Sequence, residues 1–192
     1  MCGIVGYVGP RPCVDIVVSG LRKLEYRGYD SAGVAVVGAD GLAVARAKGK
    51  LKNLVQVLAE KPLTGCTGIG HTRWATHGKP SNENAHPHSY RGVAVVHNGI
   101  IENHLALKAA LAARGHKFAS ETDTEIIAHL VADALQDGAK DLRAAVRAAL
   151  GEVHGTYAIA VVSERRPGEI VAAKNASPLV VGVFPMRPVP RG

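Results

Sequence analysis

Residues 93–96 and 158–162 are apolar at every position, built from valine, alanine and isoleucine. Side chains along a strand alternate between its two faces, so runs like these need apolar cover on both sides. A sheet with one wet face cannot accept them. The other periodic segments come as pairs of strands and pairs of helices instead of strict β-α alternation, which argues against a doubly wound parallel sheet. The expected class is α+β, with sheets packed on each other and helices outside.

The spacing of Val14, Val17, Val18, Leu21 and Leu24 predicts a helix, with Gly28 as its stop. Residues 33–37 and 42–47 read as a hairpin around the turn 38–41, and a helix through Leu51, Leu54, Val55 and Leu58 ends before Pro62. A strand is expected over 67–71, then a long aperiodic stretch over 72–90, then a strand over 92–96. Helices are predicted over 103–114, 124–136 and 140–150, stopped by Gly115, Gly138 and Gly151. Thr122 and Glu125 stand at capping-box spacing before the second of these. Strands over 156–163 and 169–174 follow, and Leu179 opens another that runs to residue 183.

At 192 residues the chain suits one sizeable domain. No apolar run reaches membrane-spanning length and no leader pattern stands at the start, so a cytoplasmic protein without a membrane partner is expected. Cys2, Cys13 and Cys66 show no C-x-x-C spacing, which fits a reducing compartment, with Cys13 and Cys66 read as buried small hydrophobes. The net charge of +7 comes from scattered Lys and Arg with no run and no aromatic interleaving, so nucleic acid is not expected as a partner. The nine histidines lack zinc-site spacing, and neither a metal nor a cofactor is expected.

Chemistry concentrates in four places. Cys2 directly follows Met1. Removal of Met1 would leave a thiol and a free α-amine on one residue, and that amine, with a pKa of about 8, is able to act as a general base. His71-Thr72-Arg73-Trp74-Ala75-Thr76-His77-Gly78 leaves a strand with an arginine that is able to fork onto a carboxylate. His97-Asn98-Gly99 offers a side-chain amide beside a glycine N–H, as an oxyanion hole needs, though Asn-Gly between apolar runs is equally a hairpin signal. Asp123 at a helix start would hold an ammonium or simply complement the helix dipole.

Taken together, Cys2-Gly3-Ile4-Val5-Gly6, the loop 25–33, the Arg73 loop and the segment from His97 to Asn103 resemble the class II glutamine amidotransferases. Within them the nearest likeness is to the glutaminase domains of glutamine–fructose-6-phosphate aminotransferases. The strings Tyr26-Arg27-Gly28-Tyr29-Asp30-Ser31-Ala32-Gly33 and His71 to Gly78 are specific to that branch. The resemblance runs from Cys2 to about Gly182 and implies a four-layer αββα sandwich of the N-terminal-nucleophile hydrolase type. It implies Cys2 as nucleophile with its own α-amine as base, and Asn98 and Gly99 as oxyanion donors. Arg73, Thr76 and His77 would take the carboxylate of glutamine, and Asp123 its amine. Trp74 would gate ammonia, and Arg27 would stand near the nucleophile. It also implies an isomerase half, C-terminal in the family, for which these residues hold no counterpart. Residues 2–182 form the expected glutaminase domain. Residues 183–192, a proline-rich tail, depart from the family, as if the last strands were shortened. Two other readings stay open: an amidotransferase domain serving phosphoribosyl pyrophosphate or aspartate, and an inactive truncated binding module.

Overall fold

Each doubly apolar strand shares its side chains between two cores. In β6 (Val93–Ile101), Val93 and Val95 enter a core with helices, while Ala94 and Val96 enter a core between two sheets. In β7 (Gly155–Ser163), Ile159 and Val161 follow the first pair, and Ala160 and Val162 the second. β2 (Ser31–Gly38) repeats the division on the other side, sending Val34 and Val36 to a second helical core and Ala35 and Val37 between the sheets. Three cores therefore separate four layers.

A computed structural model describes residues 2–74 and 78–183. The remaining elements are β1 (Gly3–Val8), α1 (Cys13–Leu24), a one-turn 3-10 helix (Glu25–Arg27), β3 (Gly41–Lys48), α2 (Leu51–Glu60), β4 (Thr67–Arg73), β5 (His88–Tyr90), α3 (His104–Ala113), α4 (Glu125–Gln136), α5 (Leu142–Glu152) and β8 (Val171–Asn175). One sheet has the order β1-β4-β2-β3 and the other β5-β6-β7-β8, with every strand pairing antiparallel. Helices α1 and α2 cover the first sheet, and α3, α4 and α5 cover the second. Each sheet takes its strands from one continuous part of the chain, and the segment between β4 and β5 joins them.

Several local expectations give way to tertiary context. Gly28 does not stop α1 in a left-handed turn: the 3-10 helix carries the chain past Leu24, and Gly28 is extended, with φ −167°. Its lack of a side chain serves close packing, because a Cβ there would lie 2.7 Å from the carbonyl carbon of Arg73. Gly151 does not end α5, which runs to Glu152 and stops where the buried Val153 turns extended. One glycine in a final turn costs only about 1 kcal/mol, less than an element's tertiary packing supplies. The Thr122–Glu125 capping box is not formed. The Glu125 carboxylate instead accepts from the Ala119 N–H at 2.8 Å, the Ser120 N–H at 2.7 Å and the Ser120 hydroxyl at 2.6 Å. Residues 179–183 form no strand: β8 is followed by a single bridge from Ala176 to Tyr157, and Val180 is 91% exposed. An apolar run is a strand only when another strand pairs with it. Cys13 is buried as expected, whereas Cys66 is exposed.

The fold buries imidazoles as well as aliphatic chains. His71, His86 and His88 are almost wholly enclosed. Burial pushes His71 and His88 down to about 3 and His86 well below the ordinary 6.5, so all three are neutral at pH 7. Burial alone would push Glu125 up, but the His129 ring, followed by the donors from residues 119 and 120, outweighs it and holds the carboxyl at about 2. Below pH 6.5 the unfolded chain takes up protons that the folded histidines refuse, and below about 4.5 the same holds for Glu125. Stability should therefore be fully present above pH 6.5 and fall continuously as pH drops toward 3. Urea midpoints should hold between pH 7.5 and 6.5 and decline from 6.5 to 4, and a flat profile over the lower range would contradict these burial states.

Candidate active site

The second sheet has a short outer strand, and the site lies where that strand ends. β5 covers β6 only from Val93 to Val95. The Gly92 carbonyl and the Glu102 N–H bond toward the β7 side, to Glu164 and His154, so even-numbered residues of β6 face β7 and odd-numbered ones face outward. Past Val95 the outward peptide groups need other partners. His97 finds two imidazoles: its N–H donates to His86 Nδ1 at 3.3 Å and its carbonyl accepts from His71 Nε2 at 3.0 Å. Ile101 finds a carboxylate, donating to Asp123 Oδ2 at 2.9 Å. Between these two capped positions, the alternation turns the N–H of Gly99 outward as well.

Asn98-Gly99 is thus no hairpin turn. Both residues are paired within β6, opposite Ala158 and Tyr157. Gly99 holds φ +154° and packs its α-carbon against the Thr156 carbonyl, leaving no room for a Cβ. Strand alternation puts Asn98 on the same face as Ala94 and Val96, toward the other sheet.

From that other sheet comes the thiol. The register of β1 on β4 pairs Gly3 with Thr72, which sets Cys2 beside the end of β4. The Trp74 N–H donates to Cys2 Sγ at 3.4 Å, and Sγ lies 3.7 Å from the Trp74 carbonyl. Burial pushes the Cys2 thiol up; the hydrogen bond with the Trp74 backbone and the Arg73 guanidinium act against it. Trp74 itself is half exposed, with its ring edge-on to Tyr29 at 5.5 Å.

Cys2, Arg73, Trp74, Asn98, Gly99 and Asp123 all line one pocket of about 280 Å³. That volume lies at the small end of ligand pockets and suits a ligand of amino-acid size. Arg73 is nearly buried, donates to the Gly78 carbonyl at 3.0 Å and faces Asp30 at 3.8 Å. Asp123 is 4% exposed. One cation and one anion thus border a space that also holds a thiol and an outward amide.

A family model described as a glutamine amidotransferase domain matches residues 71–186. This chain belongs to that family. It is 56% identical over 185 residues to a glutamine–fructose-6-phosphate aminotransferase (isomerizing) of Thermus thermophilus, covering 95% of this chain and 30% of that one. The enzyme of the same name from Escherichia coli O6:H1 is 54% identical over 184 residues, with the same coverage of 95% and 30%. The amidotransferase domain thus spans about a third of the length of the curated relatives it matches. Among solved structures it resembles the glutamine phosphoribosylpyrophosphate amidotransferase of B. subtilis, with a TM-score of 0.72 and 28% identity over 85% of this chain and 35% of the other. The architecture is the four-layer αββα sandwich of the N-terminal-nucleophile hydrolases.

Of the residues singled out in the sequence of this amidotransferase domain, six share the pocket. Arg27 is half-buried in the 3-10 helix and is not among the described lining residues. Thr76, His77, Met1 and residues 184–192 lie outside the described residues. Sequence reasoning missed Asp30, which faces Arg73, and His86, His97, Thr122, Thr124 and Thr156, which line the pocket. Asp30 stands within the Tyr26–Gly33 string and was open to notice; Thr122 carried only a capping signal, and Thr124 and Thr156 carry no motif. Among the described residues no group of three or more His, Cys, Asp or Glu side chains is arranged to hold a metal ion.

The packing of Gly99 yields a direct test. Gly99→Ala forces a methyl group into the Thr156 carbonyl and should lower stability by about 2 kcal/mol or more, as strained backbone and overpacking do. Chemical denaturation measures it, and a variant as stable as the parent would show that β6 and β7 separate easily here.

Proposed function

We propose that this amidotransferase domain hydrolyses the side-chain amide of glutamine to glutamate and ammonia, with residues 2–182 as the catalytic unit. The observation that carries the reading is the pocket itself, where Cys2 Sγ, the outward Gly99 N–H, Arg73 and Asp123 meet. A free α-amino acid bearing an amide needs these parts: one charge for each end, a nucleophile, and donors for the oxyanion.

In this reading the Cys2 thiol gives its proton to its own α-amine and attacks the amide carbon. The Asn98 side-chain amide and the Gly99 N–H hold the oxygen that becomes negative. The ammonium at the terminus returns the proton to the leaving nitrogen, ammonia departs, and a γ-glutamyl thioester remains. Water, deprotonated by the same amine, then cleaves the thioester, releasing glutamate and restoring the thiol. Arg73, with Thr76 and His77, takes the α-carboxylate, and Asp123 takes the α-ammonium. Trp74, whose backbone brackets Sγ, stands where ammonia would leave, and Arg27 supports the loop beside it. No cofactor enters any step.

The relatives' names and their identity of 54–56% support fructose 6-phosphate as the acceptor, in a longer cytoplasmic protein whose isomerase half receives the ammonia. The phosphoribosyl pyrophosphate reading has the weaker support of 28% identity.

Two experiments test the catalytic assignment. Cys2→Ala should abolish glutamine hydrolysis with the fold retained, and any residue left in front of Cys2 should suppress it, because an acylated amine is no base. Equal rates for extended and trimmed protein would remove the amine from the mechanism. Oxyanion and recognition roles separate kinetically. Asn98→Ala should lower kcat by about 10²–10³-fold, whereas Asp123→Asn, which keeps an acceptor for the Ile101 N–H, should chiefly raise KM. An Asn98→Ala effect confined to KM would make Asn98 a structural residue only.

A further inference from the structure

We infer that Cys66 and Cys13 form a redox-sensitive pair, in which Cys66 reacts with a small disulfide and Cys13 resolves the adduct into an internal disulfide. That link would staple the start of α1 to the start of β4. Cys66 is exposed and Cys13 wholly buried, and both thiols are free. Two backbone hydrogen bonds bring them together. The Cys13 N–H, one of the donors that a helix start leaves unpaired, donates to the Gly65 carbonyl at 2.9 Å. Standard peptide dimensions across that bond keep the α-carbons of Cys13 and Cys66 no more than about 6.6 Å apart, inside the span of about 4.4–6.8 Å that disulfides bridge. The Gly9 N–H donates to the Cys66 carbonyl at 3.3 Å, which carries the pairing of β1 with β4 one step past Val8 and Thr67. Strand alternation then turns Cys66 to the face of Gly68. Cys13 covers that face: a Cβ on Gly68 would lie 2.7 Å from Cys13 Sγ.

Exposure divides the chemistry between the two thiols. A small disulfide reaches Cys66 and not Cys13. The Cys66 thiolate attacks one sulfur of the small disulfide, forming a mixed disulfide and releasing the first small thiol. The Cys13 sulfur then attacks the Cys66 sulfur and expels the second. Two protein thiols are oxidised, one small disulfide is reduced, and the two cysteine protons end on the two small thiols. Burial holds the Cys13 thiol at about 11, and charge on Cys66 pushes it the same way. The second step is therefore slow at neutral pH and quickens about tenfold per pH unit as the thiolate fraction rises. A reversible pair suits the reducing compartment expected from sparse, unpatterned cysteines. It lies at the opposite end of β1 from Cys2, so closing it leaves the pocket thiol untouched.

The test treats the folded full chain, at low protein concentration, with oxidised glutathione and follows intact mass and disulfide-linked peptides. The parent protein should pass through a glutathione adduct at Cys66 and end as an internal Cys13–Cys66 disulfide. The adduct should last about tenfold longer at pH 7 than at pH 8. In Cys13→Ala it should accumulate unresolved. In Cys66→Ser, an exposed and conservative change, the buried Cys13 should stay a free thiol. Oxidised parent should melt about 5 °C or more above the reduced form, as a link closing a long chain loop does, and dithiothreitol should remove the difference. An adduct at Cys66 that persists in the parent would overturn the inference. So would Cys66 linked only to Cys2 or to a second chain, Cys13 as reactive in Cys66→Ser as Cys66 is in the parent, or an oxidised protein that melts no higher. No readout depends on glutamine hydrolysis, so this inference and the glutaminase reading stand or fall separately.

Discussion

The early end of β5 shapes the site more than any single residue. A strand edge inside a protein must satisfy its peptide groups, and beyond Val95 the edge of β6 has no strand to do it. Imidazoles cap the edge at His97 and a carboxylate caps it at Ile101. These substitutes are side chains, so they bring acid–base groups and space where a strand would have brought a backbone. The pocket is the gap they leave, and the Gly99 amide sits between them. Sγ of Cys2 reaches the same gap from the other sheet, held by the Trp74 backbone.

The buried histidines keep that gap electrically simple. His71 and His86 stack at 4.3 Å, and His86 meets His88 edge-on at 4.7 Å. Were these rings charged they would repel one another and compete with Arg73 for any carboxylate. Burial keeps them neutral, so they serve as directional donors and acceptors. Arg73 and Asp123 bring one formal charge of each sign to the pocket wall.

How far the sequence revealed this depended on the range of each interaction. Val93–Val96 and Ala158–Val162 needed only alternation to predict packed sheets, because a doubly apolar strand has few other solutions. Asn98-Gly99 read two ways, and only the pairing of Ile100 and Ile101 with Thr156 and Gly155 makes it strand interior. Nothing local announces the burial of His86 or His88, since their partners, the His97 N–H and Thr122, lie 11 and 34 residues away. The Thr122–Glu125 spacing misled for a related reason: the donors from residues 119 and 120 reach Glu125 first. Residues 179–183 have the composition of a strand, but pairing is not a property of composition.

Each sheet is drawn from one continuous part of the chain, so the site is complete only across the seam between them. Each half has a helical core of its own, and the layer containing Ala35, Ile69, Ala94 and Val162 joins them. Cys2 belongs to one half, and Asn98, Gly99 and Asp123 to the other. The thiol meets its oxyanion donors only when that layer closes, so appearance of activity during refolding would mark the docking of the two halves.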